Sequence, residues 1–294
     1  MSLPQFTHLR PADLREASSM LLELPGESRV LAGGTDLLVR MKLRRQVPRF
    51  LVNLKKIEGL DSLSREPGGG LRIGPLVTLE ALKSSVAVRK NYPVLHDAVS
   101  RMGTLEIRNC GTVGGNLCNA SPAAETVPPL LLLGATLDLV SRDTQRSVPL
   151  GEFLQGPGRT LLARGELLAA IHIPQPEPGS FGAYEKHSLR RMDLAVVGAA
   201  ALIAMDGPIC RWAKLVLSAV GPTALRAWGA ETLLTGNEMS EANIQSAARA
   251  AADEIRPQAD LHGTIEQKRE MAVLLTARVL TRAFERAGVR AGRI

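Results

Sequence analysis

The chain has 294 residues with 36 Lys and Arg against 29 Asp and Glu, a net charge of +7, and only 3% aromatic residues. This length accommodates two ordinary domains, the 45% hydrophobic content is normal for a globular protein, and the scarcity of rings leaves the core to Leu, Val, Ile and Ala. Cys110, Cys118 and Cys210 are too few for a disulfide framework, no apolar run reaches a membrane span, and the N-terminus has no signal-peptide core, so a cytoplasmic location is expected.

In chain order, Pro11 to Leu24 has helical spacing, with Leu14, Ala17, Leu21 and Leu22 on one face and a stop at Pro25-Gly26. Arg29–Ala32 reads as a strand running into the first glycine segment, Leu31-Ala32-Gly33-Gly34-Thr35-Asp36-Leu37. Phe50–Leu54 and Leu71–Ile73 read as strands. Thr78 reads as the cap of a helix to about Val86, and Pro93–Met102 as a helix with Pro in its first turn. The second glycine segment follows, Arg108-Asn109-Cys110-Gly111-Thr112-Val113-Gly114-Gly115-Asn116. Leu137–Val140 and Ser147–Leu150 form a hairpin, and Leu167–Ile173 is a strand ending at Pro174. Gln175-Pro176-Glu177-Pro178-Gly179 marks a domain boundary. Beyond it, Phe181–His187, Ala195–Met205 and Cys210–Val220 suggest an antiparallel meander followed by helices over Glu241–Ile255 and Ile265–Ala287, an α+β layer domain.

The two glycine segments, about eighty positions apart, carry the chemistry. Without Cβ atoms, successive N–H groups can turn inward into an anion-binding nest, and two nests suit the two phosphates of a dinucleotide. Neither segment has the Rossmann pattern and no phosphate-binding G-x-x-x-x-G-K-[ST] occurs, so a dinucleotide here implies another fold. The hydroxyls of Thr35 and Thr112 and the amide of Asn116 can donate to phosphate, or cap turns. The cluster Arg40, Lys42, Arg44, Arg45 and Arg49 has no interleaved aromatic residues, which argues against nucleic acid and leaves a solvated face or an anionic partner. The five histidines and three cysteines have no metal-ligand spacing, so no metal centre is expected.

These segments resemble the FAD-binding medium subunit of the molybdenum hydroxylases, the family of xanthine dehydrogenase, aerobic-type carbon monoxide dehydrogenase and 4-hydroxybenzoyl-CoA reductase. The likeness extends through Ala120-Ser121-Pro122-Ala123-Ala124-Glu125, through Tyr184-Glu185-Lys186 with Arg190-Arg191-Met192-Asp193-Leu194-Ala195, and to Gly263-Thr264-Ile265-Glu266-Gln267-Lys268-Arg269, in the family's order. Gln267 stands where the family usually has Tyr. The resemblance implies a two-lobed FAD-binding domain of the vanillyl-alcohol-oxidase type over 1–176, with lobes of about 1–56 and 57–176. A three-stranded antiparallel sheet plus helices would follow over 177–294. It places pyrophosphate contacts at Val30, Leu31, Ala32, Gly33, Gly34, Thr35, Asp36 and Leu37 and at Thr112, Val113, Gly114, Gly115 and Asn116. Glu125 would accept from the adenosine ribose, and Leu168 and Lys186 would lie toward the flavin. No catalytic residue is expected on this chain.

The implied role is electron transfer through FAD between [2Fe–2S] clusters on a small subunit and an acceptor such as NAD or a quinone, with a molybdopterin large subunit oxidising the substrate. A self-sufficient flavin oxidoreductase of the same fold, and a non-redox nucleotide- or nucleic-acid-binding regulator, are the alternatives; flavin colour separates the second from the rest.

Overall fold

A computed structural model describes residues 2–24, 27–261 and 263–288; the expected helix stop at Pro25-Gly26 and one histidine, His262, lie outside them. The elements run β1 (Thr7–Leu9), α1 (Leu14–Glu23), β2 (Ser28–Leu31), α2 (Leu37–Lys42), β3 (Phe50–Asn53), β4 (Leu63–Arg65), β5 (Leu71–Ile73), α3 (Leu79–Ser84), α4 (Val86–Asn91), α5 (Pro93–Arg101), α6 (Leu105–Cys110), α7 (Val113–Asn119) and α8 (Val127–Leu132). They continue with β6 (Thr136–Val140), β7 (Gln145–Pro149), α9 (Leu150–Phe153), β8 (Leu154–Gly156), β9 (Arg159–Thr160), β10 (Leu167–Ile173), β11 (Ser180–His187), β12 (Val197–Asp206), β13 (Ile209–Ser218), β14 (Leu225–Arg226), α10 (Trp228–Leu234), α11 (Glu241–Glu254) and α12 (Ile265–Arg286). Among the described residues no helix is long and apolar enough to cross a membrane.

The chain forms two compact units, one of residues 1–81, 104–120 and 134–175, the other of residues 82–103, 121–133 and 176–294. The first unit holds a parallel sheet ordered β1-β3-β2 and an antiparallel sheet ordered β4-β5-β10-β6-β7. Asp13 starts α1 by accepting the Glu16 N–H at 2.8 Å, later than the Pro11 start expected from spacing. Ala17 of that helix is fully buried in a cluster with Val52, Leu54, Ile57, Leu60, Leu76 and Leu167. Each large apolar side chain buried in this way contributes on the order of 1.5–3 kcal/mol.

His172 of β10 sits between two carboxylates, with Nδ1 2.6 Å from Glu66 and Nε2 2.9 Å from Asp138 of β6. Burial disfavours the charged ring, but the two hydrogen bonds and the negative charges of both carboxylates together outweigh it and raise its pKa above the ordinary histidine value. Its partners lie far off in the chain, so no spacing marks this histidine as different from the other four.

The second unit is built on an antiparallel meander, β11-β12-β13-β14. The fourth strand is an addition to the three expected. It has two residues, too few to show alternation, and is held by Glu231, whose carboxylate accepts from Arg226 at 2.8 and 2.9 Å and from the Leu215 N–H at 2.8 Å. Residues 197–204 of β12 are all buried, because the sheet is covered on both faces. Ala183, Ala199, Ala201 and Ile203 pack with Ile244, Ala247, Ala251, Leu275, Val279 and Ala283 of α11 and α12. The alternate residues face the other way, where a Cβ on Gly182 would lie 3.0 Å from Val94 of α5. Thr264 and Gln267 cap α12 reciprocally, so the residue standing in place of Tyr completes a capping box.

The helix expected from Thr78 to Val86 is two helices. Thr78 does cap the first, accepting the Ala81 N–H at 3.1 Å, but Ser85 leaves helical geometry to cap α4 through the Val88 N–H.

Candidate functional site

The first glycine segment leaves the C-terminal end of β2 and enters α2. Gly34 has φ +83°, a left-handed conformation that favours glycine. The backbone N–H groups of Gly33, Gly34, Thr35 and Asp36 donate to no acceptor among the described residues, although Gly33, Gly34 and Thr35 are half-buried. Half-buried N–H groups without partners are costly unless a ligand or water takes them, and four in succession beside a left-handed glycine have the geometry that can receive an anion. The Asp36 carboxylate is directed to Asn119, whose amide donates to it at 3.1 Å, while the Asn119 oxygen accepts from Arg40 at 2.6 Å. Val30 and Leu31 lie on β2 opposite Val52 and Asn53, and Leu37 opens α2.

The second segment meets the first directly. A Cβ on Gly33 would lie 2.2 Å from the Cys110 carbonyl oxygen, and one on Gly115 would lie 3.9 Å from the Ala32 Cβ. The second segment is not a glycine turn of the same kind. Thr112 caps α7 by accepting the Gly115 N–H at 3.0 Å, so Val113, Gly114, Gly115 and Asn116 form a helical first turn. The N–H groups of Val113 and Gly114 bond to the Val77 and Pro75 carbonyls, both at 3.0 Å. The donors of the nest expected here are already held, by the Val77, Pro75 and Thr112 carbonyls and by the Thr112 hydroxyl. Gly114 serves close packing, since a Cβ there would meet the Pro75 carbonyl at 2.6 Å. Gly115 is different: its Cβ would meet only the Thr112 hydroxyl at 3.0 Å and Ala32, so that face is open to close approach.

In the second unit, Glu125 and Lys186 meet as a buried pair, with Nζ 2.7 Å from Oε1 and both side chains 3% exposed. The Lys186 ammonium also donates to the Asp193 carbonyl at 2.7 Å. The other carboxylate oxygen of Glu125, the Tyr184 hydroxyl and the Ser218 hydroxyl are buried with no protein partner among the described residues. Lys186, Gly198 and Ser218 stand in one row across β11, β12 and β13. A Cβ on Gly198 would lie 2.5 Å from the Ser218 Oγ and 3.0 Å from the Tyr184 hydroxyl. Burial pushes the Glu125 carboxyl up to about 7 against the pull of Lys186. Burial and the Glu125 charge likewise raise the Tyr184 phenol. Tyr184 shares a face of β11 with Lys186 by simple alternation, whereas Ser218 joins the group without local signal, because only strand register aligns it with Lys186. Leu168, on β10 of the first unit, is 4% exposed and pairs with Leu139 just before a β-bulge.

Desolvation also pushes the half-buried Cys118 thiol up to about 12, which disfavours its thiolate.

Known proteins match this arrangement along the whole chain. Residues 4–176 match the FAD binding domain in molybdopterin dehydrogenase, and residues 182–283 match the CO dehydrogenase flavoprotein C-terminal domain. The 6-hydroxypseudooxynicotine dehydrogenase complex subunit alpha of Paenarthrobacter nicotinovorans is 30% identical, covering 98% of this chain and 97% of its own. The carbon monoxide dehydrogenase medium chain of Afipia carboxidovorans is 33% identical, covering 96% and 98%. Among solved structures, carbon monoxide dehydrogenase from Hydrogenophaga pseudoflava superposes with a TM-score of 0.94 at 31% identity, covering 97% of this chain and 99% of that one. With its family match and its fold in agreement, this chain belongs to the FAD-binding medium subunits of the molybdenum hydroxylases, a family of oxidoreductase subunits whose cofactor is FAD.

Proposed function

We propose that this chain is the electron-transfer subunit of a molybdenum-containing hydroxylase or dehydrogenase, accepting electrons from [2Fe–2S] clusters on a small subunit and delivering them to NAD, a quinone or another acceptor. The observation that carries the cofactor site is the run of unpartnered N–H groups at Gly33–Asp36, inside the segment matched as an FAD-binding domain. They fit a pyrophosphate, which brings acceptor oxygens and negative charge to donors that the protein leaves unused.

When bound, FAD supplies the exchange between one- and two-electron carriers. The chain's own residues bind and orient it. Gly33, Gly34, Thr35 and Asp36 donate backbone N–H groups, and Ala32 and Leu37 fix the ends of the turn. Gly115 supplies an open helix face, with Thr112 and Asn116 beside it. Glu125 keeps one unpartnered oxygen for a ribose hydroxyl, and Lys186 orients that carboxylate from the opposite side. Leu168 is proposed toward the flavin as an apolar wall. None of these groups is asked to act as acid, base or nucleophile. The two-lobed arrangement of the vanillyl-alcohol-oxidase type, the division near residue 176 and a cytoplasmic location belong to the same proposal.

Purification of the native assembly tests this reading. The chain is expected to elute with an iron–sulfur subunit and a molybdopterin subunit, with about one FAD per chain. A chain that elutes alone with FAD and turns over its own organic substrate would contradict the subunit role and mark a self-sufficient flavoenzyme.

A further inference from the structure

The segment that follows the anion-binding turn presents a surface with no use inside the chain. Val39, Leu43 and Val47 are 52%, 47% and 54% exposed, and Lys42, Arg44 and Arg45 are exposed between them. Val39 and Leu43 stand one helical turn apart. Arg40 is engaged by Asn119, and Arg49 lies 3.5 Å from Glu27. Lys42, Arg44 and Arg45 meet no carboxylate among the described residues.

The patch is held firmly. Met41 is fully buried beneath it, and the Arg40 carbonyl accepts both the Arg45 and Gln46 N–H groups, at 2.9 and 3.3 Å. Arg44 adopts φ +56°, a left-handed conformation that costs a side-chain-bearing residue on the order of 1–2 kcal/mol. Backbone strain of this kind is kept where surrounding contacts enforce it, often at functional positions. A rigid patch also loses less entropy on binding.

We infer that residues 39–49 dock the acidic face of another protein subunit, through the exposed apolar side chains of Val39, Leu43 and Val47 and the exposed cations of Lys42, Arg44 and Arg45. Interleaved apolar and cationic side chains match a protein interface, in which a dry centre is ringed by charge. The patch has no aromatic residue on which a base could stack. The six-residue α2 is about 9 Å long and does not segregate a broad apolar face for a membrane. This inference rests on the multi-subunit reading above and names the surface through which assembly takes place.

The test co-produces the full chain with the other two subunits and measures assembly by analytical ultracentrifugation between about 0.05 and 0.5 M salt. Wild-type assembly should weaken as salt rises. Arg44→Glu with Arg45→Glu should weaken assembly by about tenfold or more at low salt and flatten that dependence. Val39→Ser with Val47→Ser should weaken assembly while leaving the salt dependence in place, and FAD content should be unchanged in both variants. Unchanged assembly of the charge-reversed chain would overturn the inference while leaving the subunit reading intact. So would normal assembly combined with loss of wild-type binding to phosphatidylserine vesicles or to random duplex DNA. Failure of the wild-type chain to assemble at all would overturn the subunit reading and the docking surface together.

Discussion

Gly33→Ala is expected to destabilise the protein and release its FAD in one step. The new Cβ would lie 2.2 Å from the Cys110 carbonyl oxygen and 3.0 Å from both the Cys110 carbonyl carbon and the Gly111 Cα. All three are backbone atoms, so no side chain can swing away and the two glycine segments must part. Overpacking of this kind costs about 1–3 kcal/mol, and backbone contacts place Gly33 toward the upper end. Gly115→Ala provides the contrast. Its Cβ meets one hydroxyl at 3.0 Å and little else, and alanine in a helical turn is intrinsically favourable. That variant should keep wild-type thermal stability while binding FAD more weakly, because the added methyl stands on the face left open beside Ala32. Thermal unfolding and titration with FAD, followed by flavin fluorescence, separate the two effects. A Gly33→Ala protein as stable as wild type would refute the close packing of the segments. Unchanged FAD affinity in Gly115→Ala would confine the phosphate contact to residues 33–36.

Glu125→Ala should be the most damaging single change in the second unit, costing about 3–5 kcal/mol, because it strands the Lys186 ammonium in a site that is 3% exposed. Lys186→Met should be milder near pH 6, since a carboxyl already pushed up to about 7 can take a proton and become neutral. Its cost should grow by pH 8. Removing both charges as Glu125→Leu with Lys186→Met should restore most of the loss, giving a strong coupling in the double-mutant cycle. The pH dependence has a definite sign. The folded value lies above that of an unfolded glutamate, about 4.3. The stability contributed by Glu125 is therefore fully present below that value and is lost as pH rises through about 7. The double variant should lack this decline in urea unfolding. Equal costs for the two single changes at every pH, with no coupling, would remove the buried pair from the energetics. The double variant also isolates the ribose role. With the pair's stability effect cancelled, a loss of FAD affinity of about 1.5–3 kcal/mol supports a hydrogen bond to the ligand, and unchanged affinity rules it out.

The first glycine segment was legible because its geometry is local: an apolar strand, two glycines and a polar residue suffice to foresee a turn, which the structure builds around a left-handed Gly34. The second was not, although its residues look alike. Glycine is a poor helix former, so Val113-Gly114-Gly115 reads as a turn, whereas the structure makes it helical through the Thr112 cap and tertiary bonds to Pro75 and Val77. The long strands β10 to β13 show as apolar runs and the helices α11 and α12 by their spacing, but the two-residue β14 has neither signal. The sites assembled across the fold were least visible. The pairing of Lys186 with Glu125, the position of Tyr184 and Ser218 next to Gly198, and His172 between Glu66 and Asp138 all depend on strand register and helix placement. Adjacent residues carry no trace of them.

Hydrogen exchange with and without FAD provides the most direct test of the proposal that residues 33–36 bind the pyrophosphate. The N–H groups of Gly33, Gly34, Thr35 and Asp36 have no acceptor among the described residues, whereas those of Val113 and Gly114 are already bonded to carbonyls. Adding FAD to the apoprotein should slow exchange markedly at residues 33–36, with a smaller change at Val113 and Gly114. Exchange at residues 33–36 that stays as fast with FAD bound as without it would contradict the assignment of this turn as the pyrophosphate site.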